Sequence, residues 1–406
     1  MSKLSRPLQS LQAGHWFKLI CGASYQYLPA VQQLAQVYAL AGADCVDVAA
    51  DPAVVAAAKA GLDRVGLPPR DRPWLMVSLN DGEDPHFRKA QFDPATCPPD
   101  CARPCAQICP AAAIAPLPQV NQGVMADRCY GCGRCWPVCP YDRIASHSTF
   151  VDPAQLLPQL FALGIDALEI HTQVHHRQAF FDLWQRLKPW VARLKLLAIS
   201  CPSAPGAVAY LWDLYEAIAP LPCALVWQAD GRPMSGDIGP GTTHATLDFA
   251  QALLEHGPPG YVQVAGGTNA YTVPKLRQLG LLRPPSADPV PLQGSAWVAG
   301  AAYGSYARRW VAPLLEEMAI GSIGSIEAPD SPRSASAPDN WEKSWDNKTD
   351  VLQKLAMPAP DATAVAPEAP LLHPNPNDPL QQALDRAKEL VLPLKDPHYL
   401  TPEPIP

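Results

Sequence analysis

The chain is predicted to fold as an α/β protein built on a (β/α)8-type barrel, with an inserted two-cluster, bacterial-type ferredoxin domain and a disordered Pro-rich C-terminal tail. Three observations predict this. Short apolar runs alternate with amphipathic stretches eight times. Eight of the twelve cysteines fall between Cys97 and Cys139, after the third apolar run. The composition changes near Ile326, where proline, alanine, serine and aspartate take over.

The predicted strands are Phe17–Gly22, Cys45–Ala49, Trp74–Leu79, Ala167–His171, Lys195–Ser200, Ala224–Gln228, Tyr261–Ala265 and Ala296–Ala299. Each is short and almost continuously apolar, as a strand covered on both faces must be. Between them lie helical patterns: Tyr27–Leu40, Ala53–Gly61, Gln155–Leu163, Ala179–Val191, Ala207–Ile218, Thr246–Leu254 and Val273–Leu281, with Tyr306–Met318 closing the series. A doubly wound open sheet is the alternative arrangement. The expected organisation is barrel over 14–90, ferredoxin-like insertion over 91–148, barrel again over 149–325 and a low-complexity tail over 326–406. Fifteen prolines lie between Pro329 and Pro406. Two islands interrupt the tail, at Asp339–Leu355 and Pro379–Leu392, the second with a helical stripe of Leu380, Leu384 and Ala387.

Charge and length exclude several function classes. A net charge of -7 without a Lys/Arg cluster gives no electrostatic basis for nucleic-acid binding. No apolar run approaches the roughly 20 residues that span a bilayer. The first fourteen residues lack the apolar core of a secretory signal, so a cytoplasmic location is expected. In a reducing compartment, dense cysteines point to metal rather than disulfides.

Cys129, Cys132, Cys135 and Cys139-Pro140 reproduce the C-x2-C-x2-C-x3-C-P run of bacterial ferredoxins. Cys97, Cys101, Cys105 and Cys109-Pro110 form a loosened copy with three-residue gaps. The halves also align beyond the last cysteine, as Cys109-Pro-Ala-Ala-Ala-Ile114 and Cys139-Pro-Tyr-Asp-Arg-Ile144. In the ferredoxin pattern the fourth cysteine of each run serves the other cluster. One [4Fe-4S] cluster is therefore expected on Cys97, Cys101, Cys105 and Cys139, and a second on Cys129, Cys132, Cys135 and Cys109. Structural zinc prefers paired cysteines across a longer loop. Radical chemistry at an open iron would need a C-x3-C-x2-C segment, which Cys97, Cys101 and Cys105 miss by one residue. Cys21, Cys45, Cys201 and Cys223 read as small core hydrophobes.

An insertion after the third strand lies at the carboxyl end of the barrel, the end that carries active sites. The predicted ends of strands seven and eight supply Gly266, Gly267, Thr268 and Gly300, candidates for a phosphate or flavin site. Asp51, Asn80, Asp81, Glu169, His171, Gln228 and Asp230 are also expected at the mouth. His171 reads as a hydrogen-bonded core histidine before a general acid or base, and Lys18 as an ion-pair member before a Schiff-base lysine. No Ser/His/Asp set or paired-carboxylate site assembles.

The segments Gly14-His-Trp-Phe-Lys-Leu-Ile-Cys-Gly-Ala-Ser24, Ala41-Gly-Ala-Asp-Cys-Val-Asp-Val-Ala-Ala-Asp51 and Val264-Ala-Gly-Gly-Thr-Asn269, with the eight cysteines, resemble the light-dependent period proteins of cyanobacteria. These are iron–sulfur proteins of circadian clock input, and the likeness runs over about Gly14–Gly324. The resemblance implies sensing of the photosynthetic redox state and association with the oscillator and its input histidine kinase. A redox partner such as a quinone or ferredoxin is compatible with the clusters. The rival function is an oxidoreductase whose clusters serve a flavin or another phosphate-bearing group in the barrel mouth.

Overall fold

The computed structural model describes residues 5–84, 87–114, 123–148, 153–231, 240–284, 295–323 and 378–396. Eight parallel strands close a barrel: β1 (Trp16–Gly22), β2 (Cys45–Ala49), β3 (Trp74–Asn80), β6 (Ala167–His171), β7 (Leu196–Pro202), β8 (Ala224–Asp230), β9 (Tyr261–Ala265) and β10 (Gly300–Tyr303). They pair in that order, and β10 returns to β1 through Trp16↔Gly300 and Lys18↔Ala302. Between β3 and β6 the chain forms β4 (Arg88–Gln91) and β5 (Ala145–Ser148), an antiparallel pair at the base of the cysteine-rich insertion. The short helix α4 (Pro104–Ile108) lies within that insertion.

Outward-facing strand residues such as Phe17, Leu19, Val46, Val77, Ile170, Ile199 and Trp227 form one continuous core with the surrounding helices. Those helices are α2 (Leu28–Ala41), α3 (Pro52–Asp63), α5 (Pro153–Leu163), α6 (Arg177–Leu187), α7 (Ala207–Ile218), α8 (His244–His256), α9 (Thr272–Gln278) and α10 (Ser305–Ile323). Inward-facing residues at the strand starts, among them Trp16, Cys45, Trp74, Leu196 and Tyr261, form a second apolar layer. The N-terminal helix α1 (Arg6–Ala13) closes that end by placing Leu11, fully buried, in the same layer.

Two sequence expectations need correction. The eighth strand is Gly300–Tyr303, not Ala296–Ala299. Glycine and alanine carry little β-propensity, so the pattern drew the strand onto the preceding Trp297-Val298. Gly300 therefore starts the strand at the closed end of the barrel, far from the mouth. A Cβ there would lie 1.9 Å from the Trp16 carbonyl oxygen, so glycine at this position permits close approach of β10 to β1 and does not cradle phosphate.

The second correction concerns the tail, which is not disordered throughout. Pro379–Lys395 forms α11, packed against α10 and α2 and burying Ala383, Ala387, Leu390, Val391 and Leu394. Asp378 caps it by accepting from the Leu380 N–H at 3.0 Å. Arg277 donates to the Pro393 carbonyl at 3.1 Å, and Lys395 pairs with the buried Asp44. The island at Asp339–Leu355 lies outside the described residues. No described helix is long and apolar enough to cross a membrane.

Candidate iron–sulfur insertion and barrel mouth

The internal repeat read from sequence is also a repeat of backbone geometry. Ala112 and Asp142, each three residues past a Cys-Pro cysteine, both have positive φ, at 45° and 53°. The N–H groups of Ala113 and Arg143 then donate to the thiols of Cys109 and Cys139, at 3.3 and 3.4 Å. Arg103 and Gly133, each two residues before a cysteine, likewise share positive φ, at 52° and 73°. The downstream half uses glycine where this conformation is easy, and the upstream half uses arginine.

An apolar cleft of about 390 Å³, including its open part, is lined by Cys109, Cys129, Cys132 and Cys135 together. The N–H of Ala90 donates to the Cys129 thiol at 3.3 Å. Burial, reinforced by the neighbouring thiols, raises the pKa of Cys132 and pushes that of Cys135 up to about 12. The thiols of Cys132 and Cys135 hold their protons in this way until a cation takes them as thiolates. On the other side Cys105 is electrostatically coupled to Cys139 and Cys97 packs on the same small core, while Cys101 is half-buried. Burial opposes ionisation of Cys139, but the N–H groups of Arg143, Tyr141, Ile144 and Asp142 outweigh it and lower its pKa. Among the described residues no three His, Cys, Asp or Glu side chains converge on a single-ion position. A cubane has no such requirement, because each cysteine binds a different iron. The donor set, the apolar lining and the N–H···S bonds fit iron–sulfur ligation.

The loop Tyr130-Gly131-Cys132 is at the same time one wall of the barrel mouth. The mouth cavity, about 780 Å³ including its open part, is lined by Asp47, His171, Gln228 and Asp230 below and by Gly266–Thr268, Gly304–Tyr306 and Arg308 above. Beneath it a chain of hydrogen bonds fills the barrel. Trp16 Nε1 donates to Gln263 (2.6 Å), Gln263 Nε2 to Gln228 (2.6 Å) and Gln228 Nε2 to Glu169 (2.8 Å). Glu169 also pairs with Lys18 and, at 3.0 Å, with His171. Burial alone would raise Glu169, but the Lys18 ammonium and His171 bring it down to about 2. Burial alone would lower His171, but Asp84 and Glu169 hold its pKa well above the ordinary value. Asp47 accepts from Ser78 at 2.8 Å, and burial with the Glu169 charge pushes it up to about 7.

The structure thus brings His171, Gln228, Asp230, Gly266, Gly267 and Thr268 to one cavity, with Glu169 directly beneath. Lys18 is the ion-pair member that its sequence context suggests. Asp51 instead caps α3 through the Ala53 and Val54 N–H groups, and Asp81 binds Thr172 and His176. Gly267 has its own structural reason: φ is 124° and a Cβ would meet the Thr242 carbonyl oxygen at 2.4 Å. Sequence reasoning missed Asp47, Ser78, Gln263 and Arg308. For Asp47 the signal was strand parity, since it shares the inward face of β2 with Cys45.

The family model for the LdpA Fe-S cluster-binding domain matches residues 97–150, and that for the light dependent period A C-terminal domain matches residues 159–393. Light dependent period A of Synechococcus elongatus is 60% identical over 316 residues, covering 78% of this chain and 86% of that protein. The chain belongs to the light-dependent period A family. Within the family frame, the cluster-binding domain is the insertion bounded by β4 and β5, and the C-terminal domain comprises most of the barrel and reaches into α11.

Proposed function

We propose that the chain carries two [4Fe-4S] clusters and acts as a redox sensor that adjusts circadian period to light. The observation that carries this reading is the apolar cleft around Cys109, Cys129, Cys132 and Cys135, set inside a duplicated cysteine geometry. The same four side chains would hold one cluster, and Cys97, Cys101, Cys105 and Cys139 the other. When bound, such a group supplies reversible one-electron chemistry. The residues themselves exclude water through Ala90, Ile114 and Trp136, and the N–H groups of Ala90, Ala113 and Arg143 point at sulfur, where added negative charge is stabilised. The clock connection is supported by the name of the Synechococcus relative, light dependent period A. The oscillator and its input histidine kinase are the proposed partners, reading the charge state of the insertion in the cytoplasm.

The test is anaerobic purification followed by iron and sulfide analysis and low-temperature EPR before and after dithionite. About eight irons per chain are expected for two cubanes. Cys132→Ser should lower iron to about half, because Cys132 belongs to one ligand set alone. Zinc in place of iron, or equal loss of both cubane signals in that variant, would overturn the assignment. A second reading, an oxidoreductase, is favoured by one observation: Cys132 lines the same mouth cavity as Asp47 and His171. Flavin released on denaturation would support it.

A further inference from the structure

The mouth cavity has two chemically different ends. The upper end gathers groups that bind anions. Helix α10 starts at Ser305, so its first-turn N–H groups lack helical partners and carry the positive end of the helix dipole. Gly266 brings the β9–α9 turn to the same rim with φ of 65°. The decisive side chain is Arg308. It is 9% exposed, its Nη1 donates to the Ile20 carbonyl at 2.8 Å and its Nη2 to Ser305 Oγ at 3.2 Å, and its buried Nε has no hydrogen-bond partner. Its guanidinium lies 4.1 Å from the centroid of the Tyr130 ring. Arg308 lines the cavity beside this helix N-terminus, and its buried, unpaired Nε leaves the guanidinium short of an acceptor.

The lower end has the opposite character. Asp47 and Asp230 are buried carboxyl groups that line the floor with Gln228 and His171, and Gln228 Nε2 donates to Asp230 at 3.3 Å. Such a floor suits a head group that donates N–H bonds, and Tyr130 and Tyr306 supply aromatic faces to the walls.

We propose that the barrel mouth is a binding site for a nitrogen heterocycle carrying a phosphate monoester, with the phosphate at Arg308, Ser305 and Gly266–Thr268 and the heterocycle over Asp47, Gln228 and Asp230. The proposal gives the oxidoreductase reading a ligand class but requires no catalysis and no cluster. It extends the glycine-based sequence expectation to Arg308 and Ser305 and excludes Gly300.

The test is titration of the full chain with flavin mononucleotide, AMP and riboflavin, followed by flavin fluorescence or calorimetry, with iron content measured on the same samples. One of the two phosphate monoesters should bind at least tenfold more tightly than riboflavin, and which one does so identifies the heterocycle. Inorganic phosphate should compete with it. Ser305→Asp places a carboxylate at the rim, where a helix start tolerates one, and should abolish the preference while leaving iron content and helicity unchanged. No binding of either monoester would overturn the proposal. So would equal affinity for flavin mononucleotide and riboflavin without AMP binding, failure of phosphate to compete, or unchanged monoester affinity in Ser305→Asp. The phosphate competition needs no variant and stands even if Ser305→Asp fails to fold. Tight monoester binding by protein without iron would leave this site intact and refute the cluster assignment instead.

Discussion

Asp47 gives the barrel interior a pH dependence whose sign is fixed. Its carboxyl is 2% exposed, accepts from Ser78 and lies near the Glu169 charge, and burial first and Glu169 second push its pKa from 3.8 to about 7. Below pH 3.8 the group is protonated in folded and unfolded chains alike and contributes no slope. Between 3.8 and 7 the unfolded chain releases the proton while the folded chain keeps it, so stability falls as pH rises. At about 1.4 kcal/mol per pH unit the full displacement corresponds to about 4 kcal/mol, an upper bound because water in the mouth screens the charge. Glu169 contributes the opposite slope in a lower window. Its folded pKa of about 2 makes stability rise with pH up to its ordinary value of 4.5. Asn in place of Asp47 keeps an acceptor for Ser78 and removes the titration. Asp47→Asn should therefore be close to neutral at pH 4 and stabilising by roughly 2–4 kcal/mol at pH 8. Urea unfolding of both proteins at pH 4, 6 and 8, with cluster content matched, measures this. A stability difference between the two proteins that does not change over this range would refute the argument, because a lost hydrogen bond alone has no reason to follow pH.

Three further outcomes follow from packing. Lys18→Met leaves Glu169 charged and buried with only Gln228 and His171 beside it and should cost about 3–5 kcal/mol in urea unfolding; adding Glu169→Gln should recover part of that. Leu390→Ala empties the α11 contact with α10 and α2 and should cost about 2–5 kcal/mol, seen as a lower Tm; an unchanged Tm would mean that α11 is not docked. Gly300→Ala must displace the Trp16 carbonyl and should destabilise by roughly 1–3 kcal/mol without altering ligand binding at the mouth, whereas a cradle glycine would show the reverse in binding titrations.

Legibility in the sequence followed from how local the cause was. Seven barrel strands were visible because apolar β-branched and aromatic runs both form the strand and face the core, so pattern and position have one origin. The eighth was shifted because Gly300-Ala-Ala-Tyr303 is held in place by its neighbours, through Trp16↔Gly300 and Gly300↔Gln263, and not by its own propensity. The α11 stripe of Leu380, Leu384 and Ala387 was readable as a helix, but the face it covers lies on α2 and α10, far away in the chain, and no local signal marks that pairing. The cluster-binding insertion was legible because cysteine spacing is local, and the backbone geometry at Cys109 and Cys139 repeats as that spacing does.

The mouth was legible only in outline, for a related reason. Strand ends and glycine turns marked its rim, but Asp47, Ser78 and Gln263 each sit in a segment whose composition is that of an ordinary barrel strand. Only closure of the barrel turns Lys18 toward Glu169 and Gln263 toward Trp16 and Gln228, so that polar residues scattered over 248 positions become one connected network. A barrel filled only for stability would continue the apolar layer of Trp16, Trp74 and Tyr261 up to the mouth. This one replaces it, above the first layer, with a lysine, a glutamate, a histidine and two further carboxyl groups. Burying that much charge costs stability even when every partner is present. Its position directly beneath the Tyr130-Gly131-Cys132 wall places the most strained electrostatics of the barrel next to the segment that would hold iron. That juxtaposition, more than either part separately, argues that the barrel participates in what the cysteine-rich insertion does.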